Sequence, residues 1–501
     1  MYEKTTLELD TSLIRDYHEN PDGDLWPTVN RAQCPTGSSC MSCVANDISD
    51  DVFYQDGDVM VCGILPIHNK DSVDPLKCNG IRTTLGVEIG EALAFAVSLL
   101  NQKNGKYKHL FPGKKIGFAF IDSCNQPSAV QSKLTELLQK GVQLRDGTYI
   151  PIADKLLGCV GAYGSSISVA SSQILSHLNI IQIAYASTAA ILSNRKEHPY
   201  FMRTCTPDDK QAKAMIKIIQ KLRSNYIQIL YSEDIYGEGG RDVIRKEAKL
   251  ANICIKKEIA VKEGEPYQGI IDKLRVNYFA KIVIVFLRSH VVDPVTTAIN
   301  EKMDYEEFTF IGSEAWGYIP DKFQSKNKFI GSITLALQIA ESDTFTSYLS
   351  NLDIFTNTQD PWIKTYAEKK FDCFFSTSFD KTSGRICDRN MNLTMSSSYK
   401  QEKWTPFALN AMLALLTGTA SAFNSLCGNE SSSSILCDLY RRNPKTVREK
   451  ILQQKLDVLG DGSPIRVFDG KGDGNVGYTI YKIQRSKQDA NVLIYSKVQH
   501  T

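Results

Sequence analysis

From Asp58 onward the sequence alternates short apolar runs with longer amphipathic runs, and no other feature constrains the fold as strongly. Residues 59–67 and 115–121 have the apolar character of strands, and residues 87–101 and 128–140 have the periodicity of helices. A parallel strand needs such a crossover helix before the next strand, and the helices then cover both faces of the sheet. The first part of the chain is therefore predicted to form a doubly wound parallel sheet.

A second series of the same kind begins after residue 204. A predicted helix at 207–222 is followed by strands and helices in turn, up to a strand at 308–312. Further helices and late strands are expected beyond it, and they have apolar faces of their own. Because this material follows a complete second series, we expect the chain to cross back to the first unit. Two units joined by several crossings form a hinge.

Size and charge limit the classes of function that need to be considered. The chain has 501 residues, which suits two or three domains rather than one core. Its 58 basic and 56 acidic residues give a net charge of +2, which predicts no nucleic-acid or other polyanionic partner. The uncharged window 404–423 contains Pro406 and Asn410, so a buried helix is predicted there rather than a membrane span. No signal peptide is visible in the first 25 residues.

The sequence contains 13 cysteines, and their spacing indicates an oxidising, extracellular compartment. Two pairs bracket short polar loops, as local disulfides do: Cys373 with Cys387, and Cys427 with Cys437. Three cysteines lie in apolar strand-like runs, where a buried free thiol is the default: Cys62, Cys159 and Cys254. Three more crowd the polar segment 1–50, which is predicted to be irregular: Cys34, Cys40 and Cys43. Sequons for N-glycosylation begin at Asn392 and Asn429.

A Gly-rich turn at 161–166 follows a predicted strand and opens a predicted helix at 166–178. The first backbone N–H groups of a helix have no partner inside it, so such a turn can hold a small anion. Ser165, Ser166 and Thr188 would add hydroxyl donors there. An ordinary helix N-cap at one of the two serines is the structural alternative. The spacing of a phosphate-binding loop or a dinucleotide fingerprint is absent.

Many short motifs occur in one order along the chain: Gly57-Asp-Val-Met, Glu91-Ala-Leu, Asp122-Ser-Cys, Gln182-Ile-Ala-Tyr-Ala-Ser-Thr, Phe201-Met-Arg-Thr, Tyr236-Gly-Glu, Ser313-Glu-Ala-Trp, Asp360-Pro-Trp and Leu426-Cys-Gly. Together they resemble the ligand-binding ectodomain of class C G-protein-coupled receptors, most closely the metabotropic glutamate receptors, over residues 57–497. The resemblance implies an α/β, bilobed, periplasmic-binding-protein-like (type I) Venus flytrap. Two doubly wound parallel sheets would be joined by a three-crossing hinge. Lobe 1 would contain residues 51–204 and 334–470, and lobe 2 residues 205–333 and 471–501.

The resemblance also implies how a ligand is held, because family members grip the common end of an α-amino acid. The positions matching the family's α-carboxylate contacts are Ser165, Thr188 and the backbone near Ser166 and Ala186. The positions matching its α-ammonium contacts are Asp208, Tyr236 and Glu314. The residue types are suitable, since hydroxyl and N–H donors bind a carboxylate while acidic and aromatic groups bind an ammonium.

The distal end of the implied pocket departs from the glutamate-selective members. Ile89 and Trp404 stand where those members carry an Arg and a Lys, and Leu85 replaces a nearby Tyr. A glutamate side chain would lose both cationic partners at a large desolvation cost, so we expect an apolar, aromatic or uncharged ligand side chain. The alternative is that Lys400 or Lys403 reaches the pocket.

The resemblance further implies that lobe 2 closes over a ligand bound to lobe 1. It implies three disulfides: Cys78 with Cys124, Cys373 with Cys387, and Cys427 with Cys437. It also implies a homodimer through lobe 1, with Ile174 and Leu178 of the helix at 166–178 facing outward. Family members continue into a cysteine-rich linker and seven membrane helices. We therefore expect either the ectodomain of a receptor at the outer face of the plasma membrane or a secreted protein, with contact to a membrane only through further segments.

Other function classes have weaker support. An enzyme is disfavoured because the sequence has no Gly-X-Ser-X-Gly elbow, no histidine in a motif beside a nucleophile and no metal-ligand spacing. A soluble amino-acid-binding protein, or a flytrap that binds nothing, is the nearer alternative. We expect no enzyme activity, cofactor or metal, and a free α-amino acid as the ligand.

Overall fold

The structure is a computed structural model that describes residues 51–102, 107, 109–375, 385–396, 399–428, 436–460, 462–489 and 492–500. The sequon at Asn429 and the cysteines Cys34, Cys40 and Cys43 lie outside these residues. Asn392 lies half-buried in a turn, where its Oδ1 accepts a hydrogen bond from the backbone N–H of Thr394. The described residues form two α/β lobes.

The first sheet is built from the N-terminal series of strands and helices. The elements of this series are β1 (Val52–Gln55), β2 (Val59–Leu65), β3 (His68–Lys70), β4 (Cys78–Ile81), α1 (Gly86–Asn101), β5 (Ile116–Asp122), α2 (Pro127–Gln139), β6 (Val142–Gln143), β7 (Tyr149–Ile150), β8 (Leu156–Val160), α3 (Ser165–His177), β9 (Gln182–Ala184) and β10 (Phe201–Arg203). Strands β3 and β4 pair with each other outside the main sheet, as do β6 and β7. The strand order is β1-β5-β2-β8-β9-β10, with only β1 antiparallel to its neighbour. Strands β2, β5 and β8 are buried along their whole length, because helices cover both faces.

The second sheet repeats this construction. Its first elements are α4 (Asp208–Lys221), β11 (Tyr226–Ser232), α5 (Ile235–Leu250), β12 (Cys254–Val261), α6 (Ile270–Arg275), β13 (Ile282–Phe286), α7 (Ser289–Lys302), β14 (Thr309–Gly312) and β15 (Ile333–Leu337). The last part of the chain supplies α8 (Asp343–Asn351), α9 (Ile363–Phe371), α10 (Thr405–Cys427), α11 (Asp438–Arg442), α12 (Pro444–Leu452), β16 (Lys455–Leu456), β17 (Ile465–Arg466), β18 (Tyr478–Arg485) and β19 (Leu493–His500). The order β12-β11-β13-β14-β15-β18-β19 ends in two antiparallel strands.

The chain returns to the first lobe after β15, as the sequence predicted. Helix α10 packs against α1, α12 and β8 inside the first lobe, where most of its side chains are buried. It is long and apolar enough to span a membrane by length and composition, but 72% of its most apolar window is buried within the protein. The predicted buried helix is therefore confirmed.

Three segments join the lobes, at residues 204–207, 338–342 and 467–477. The fully buried Arg203 places its Nε 2.7 Å from Oδ1 of Asp473, which ties the first segment to the third. Burial alone would raise the pKa of Asp473, but the charges of Arg203 and Arg195 together hold it below its usual range. Strand β15 pairs with β14 and β18, so residues 334–337 belong to the second sheet rather than to lobe 1. The boundary between the lobes that the sequence predicted at residue 334 was wrong, because an apolar run beside a hinge does not indicate which sheet it joins.

The disulfides of the structure can be compared with the predictions made for the cysteines from the sequence. Three pairs implied by the resemblance are confirmed: Cys78 with Cys124, Cys373 with Cys387, and Cys427 with Cys437. The prediction of free buried thiols was wrong for Cys62 and Cys159, which face each other on β2 and β8 and are bonded. For Cys254 the free thiol is confirmed, but its predicted burial was wrong, because the residue begins the edge strand β12 and is exposed. Cys62 and Cys159 become neighbours only because β2 and β8 are adjacent in the sheet, and local sequence does not specify the strand order.

Candidate ligand-binding site

The N-terminus of α3 forms one wall of the cleft between the lobes. Gly164 precedes the helix with a φ of 90°, which favours glycine, and no side chain caps the helix there. Ser165 does not act as an N-cap; its Oγ accepts a hydrogen bond from the backbone N–H of Ala189 at 3.1 Å. The first turn of α3 therefore presents backbone N–H groups and the hydroxyls of Ser165 and Ser166 toward the cleft.

The loop after β9 supplies the rest of this wall. Ala186 and Thr188 line the same cavity as Ser165 and Ser166. The Oγ1 of Thr188 donates to Oε1 of Glu314 across the cleft at 3.4 Å. The predicted carboxylate-binding residues are thus brought together, and one of them already touches the opposite lobe.

The opposite wall is a cluster of acidic and phenolic groups. The Tyr236 hydroxyl lies 2.8 Å from both Oγ of Ser313 and Oε1 of Glu314. Gln211 links the Asp208 carboxylate to the backbone of Glu314, since its Nε2 donates to Oδ1 of Asp208 at 3.2 Å and its Oε1 accepts from the Glu314 backbone N–H at 2.7 Å. All three predicted ammonium-binding residues are buried and adjacent.

Burial dominates the electrostatics of this cluster. It raises the pKa of Asp208 well above the usual value, and the nearby Glu314 raises it further. Burial likewise raises the pKa of Glu314 and of the Tyr236 hydroxyl. In the described part of the chain, no lysine or arginine forms an ion pair with Asp208 or Glu314, and Oδ2 of Asp208 has no hydrogen-bond partner. Such a cluster favours an incoming cation that carries several N–H donors.

The cleft is nearly closed around these groups. Thr188, Tyr236 and Glu314 line a cavity of about 40 Å³, which is room for only a few water molecules. Asp208 does not line it and is connected to Glu314 through Gln211. This cavity adjoins a larger cavity of about 520 Å³, and both are lined by Tyr163, Glu314 and Trp404. The head-group site therefore continues into a distal compartment.

The distal compartment only partly matches the sequence interpretation. Leu85 and Trp404 line it, but the fully buried Ile89 packs into the core of the first lobe and lines neither cavity. Lys403 does reach the site, as the alternative interpretation allowed. Its Nζ donates to the backbone oxygen of Glu314 at 3.1 Å and lies 5.2 Å from the Trp404 ring centre. Arg82 and Lys400 also line this compartment, so it is not free of cations.

Arg288 lines the cleft but was not identified from the sequence. Its Nε lies 3.2 Å from Oδ2 of Asp234, and its guanidinium lies opposite Gly164 at the start of α3. A signal was present, since Arg288 follows the buried strand β13 directly. Ligands of doubly wound sheets bind at the carboxyl ends of the strands, so polar residues there are natural candidates.

Comparison with known proteins identifies the family. The family described as "Receptor family ligand binding region" matches residues 88–415 of this chain. The chain belongs to this receptor family. Mouse metabotropic glutamate receptor 4 is 27% identical over 452 residues, which is 87% of this chain and 48% of the receptor. The chain thus spans about half the length of this relative, and the flytrap of a class C G-protein-coupled receptor, recognised from the sequence motifs, is confirmed.

Proposed function

We propose that this receptor domain binds a free α-amino acid between its lobes and signals by closing over it. The observation that carries the proposal is the buried cluster of Asp208, Tyr236 and Glu314, which has raised pKa values and forms no ion pair with a lysine or arginine among the described residues. It faces the N-terminus of α3 and Thr188 across the nearly closed cleft. A zwitterionic head group complements both walls, with its carboxylate at the helix and its ammonium at the acids.

Lobe closure follows from this division of contacts. The carboxylate would bind residues of the first lobe, and the ammonium would bind residues of the second. A ligand that contacts both lobes has more affinity for the closed form, and this difference drives closure. We infer that the domain faces the outside of the cell, because its disulfides require an oxidising compartment. A homodimer through α3 is supported by the exposed Leu178 and the half-buried Ile174.

For the side chain of the ligand, we propose an uncharged group. Leu85 and Trp404 give the distal compartment apolar surface, and the buried indole N–H of Trp404 has no partner among the described residues. Lys403 already donates to the Glu314 carbonyl, and Glu341 and Glu402 also line the compartment. A neutral side chain that accepts a hydrogen bond fits these groups without leaving a buried carboxylate uncompensated.

Calorimetry against matched analogues tests the proposal. Glutamine should bind, whereas N-acetylglutamine, which lacks the ammonium, and glutamine amide, which lacks the carboxylate, should each bind at least about tenfold more weakly. Glutamate should bind no more tightly than glutamine. Equal binding of glutamine and its two derivatives would refute the head-group site, and tighter binding of glutamate would refute the side-chain preference alone. Turnover of a bound amino acid would indicate an enzyme instead.

A further inference from the structure

A wide groove runs along α4 on the outer side of the second lobe, away from the cleft. Its volume is about 1160 Å³, more than twice that of the distal compartment. Helix α4 forms one side, and residues of β14, β15 and β18 form the floor and the other side. The groove extends from Thr206 at the hinge to Ser224 beyond the end of α4.

The floor of the groove is apolar and its rims are basic. Ile218, Ile282, Ile333 and Ile480 line the floor. Six lysines line the rims: Lys210, Lys213, Lys217, Lys221, Lys281 and Lys482. No acidic side chain is among the described residues that line the groove. The net charge of the whole chain, which predicted no polyanionic partner, conceals this local concentration of positive charge.

The groove exists because one face of the second sheet is incompletely covered. On the opposite face, Trp316, Phe323 and Phe329 pack against Ile483 of β18 and Leu493 of β19. On the groove face, α4 and α5 cover a core that includes Leu335 of β15 and Ile480 of β18, but Ile333 of β15 is only half-buried and Val498 of β19 is exposed. In a doubly wound fold a helix normally covers each such position. The space beside α4 therefore lies where a further helix would cover the sheet.

We propose that the groove is the docking site for an acidic amphipathic helix of a partner protein. Helix α4 has 14 residues and is about 21 Å long, so a partner helix of similar length can lie beside it. An apolar stripe at helical spacing would pack on the isoleucine floor, and acidic residues beside the stripe would meet the lysine rims. Lysines spread along the whole groove match an extended polyanionic partner better than a compact anion, which would reach only one or two of them. The proposal does not depend on the amino-acid site.

Two lysines of α4 are the clearest candidates for charge contacts with a partner helix. Lys213 and Lys217 lie one turn apart on α4, are exposed, and form no ion pair within the described residues. Lys210, by contrast, is 3.4 Å from Asp469. Leu222, which is 45% exposed at the far end of the groove, supplies apolar surface that a partner would cover. Charge and apolar contact can therefore be tested separately.

Fluorescence polarisation of labelled peptides on the full chain provides the test. The probe is a helical peptide of about 18 residues, or five turns, with leucines along one stripe and glutamates elsewhere; a scrambled peptide of the same composition lacks the stripe. The striped peptide should bind at least about tenfold more tightly than the scrambled one, and added salt should weaken it. Equal binding of the two peptides would overturn the proposal, as would preferential binding to anionic lipid vesicles.

Matched variants locate the binding. The double variant Lys213→Glu with Lys217→Glu should bind the striped peptide at least about tenfold more weakly. The control, Lys246→Glu with Lys249→Glu, makes the same charge change at exposed positions of α5 outside the groove and should have little effect on binding. Leu222→Ser should weaken binding without any change in charge. Equal losses in the two double variants would overturn the proposal, and so would an unchanged affinity in Leu222→Ser. Circular dichroism of each variant confirms that it is folded.

Discussion

At the scale of single residues, the state of Asp208 decides how the cleft works. Its side chain is fully buried, burial raises its pKa, and Glu314 lies close enough to raise it further. A carboxyl group with a raised pKa holds its proton more strongly than usual, and it ionises when a cation binds beside it. Binding of an ammonium should lower the pKa of Asp208 and release a proton.

We predict that Asp208→Asn weakens amino-acid binding at least about tenfold, because a charge-assisted hydrogen bond contributes about 1.5–3 kcal/mol. The neighbouring Asp209→Asn removes the same charge from a half-buried residue that forms no hydrogen bond with Gln211 or Glu314 among the described residues, so it should keep most of the affinity. Calorimetry in two buffers of different ionisation enthalpy measures both affinity and proton release. Loss of proton release in Asp208→Asn alone is the expected signature, and equal behaviour of the two variants would remove Asp208 from the site.

At the scale of secondary-structure elements, α5 connects the stability of the second lobe to the site. Asp234 caps it by accepting from the Gly237 N–H at 2.8 Å, and the same carboxylate contacts Arg288. Gly240 packs so closely on Phe286 that a Cβ atom would lie 2.1 Å from the ring. That ring lies 5.1 Å from the ring of Tyr236, which belongs to the ammonium-binding wall.

Two adjacent glycines of α5 should therefore respond to alanine in opposite directions. Gly239 has nothing within 4 Å of an added Cβ, so Gly239→Ala should stabilise the protein by about 0.5–1 kcal/mol by favouring the helix. Gly240→Ala should destabilise it by about 1–3 kcal/mol through overpacking and weaken ligand binding by displacing Phe286. Urea unfolding of both variants measures the difference. Stabilisation by both alanines would show that the contact between α5 and β13 is looser than described.

At the scale of the whole molecule, a few contacts hold the lobes together. Apart from Thr188 and Glu314, Lys70 of the first lobe is 2.9 Å from Glu263 of the second, and Glu263 is also 3.1 Å from His290. Chiefly the hydrogen bond with His290, and then that with Lys70, lowers the pKa of Glu263 to about 2. Because the folded-state pKa is depressed, the contribution of this group is present above the unfolded pKa and is lost as the pH falls toward 2.

We predict that Lys70→Met lowers amino-acid affinity up to about fivefold, since an exposed ion pair contributes at most about 1 kcal/mol. The effect is expected because the pair joins the two lobes between which the ligand is proposed to bind. Lys77→Met is the control, because Lys77 pairs with Asp74 within the same lobe. Titrations at low and high salt should show a difference between the variants that shrinks as salt screens the pair. An identical affinity in Lys70→Met and the unaltered protein would exclude this contact from closure.

The residues along the chain were sufficient to predict the two α/β sheets, the return of α10 to the first lobe and the positions of the head-group residues. The sheets follow from local periodicity and the anion-binding turn from the Gly-rich opening of α3, whereas the head-group residues were identified from motifs that resemble the receptor family. The structure brings Ser165, Thr188, Asp208, Tyr236 and Glu314 to one cleft. Their role in binding an amino acid stays a prediction.

Other properties depend on which distant segments become neighbours. Cys62 and Cys159 are 97 residues apart and meet because β2 and β8 are adjacent. Lys403 reaches Glu314, 89 residues away in sequence, because the two lobes meet at the cleft. The basic groove combines α4 with β18, whose order in the sheet no local pattern specifies. Local interactions select helices and strands, whereas long-range packing chooses their partners, so these features became visible only in the folded chain.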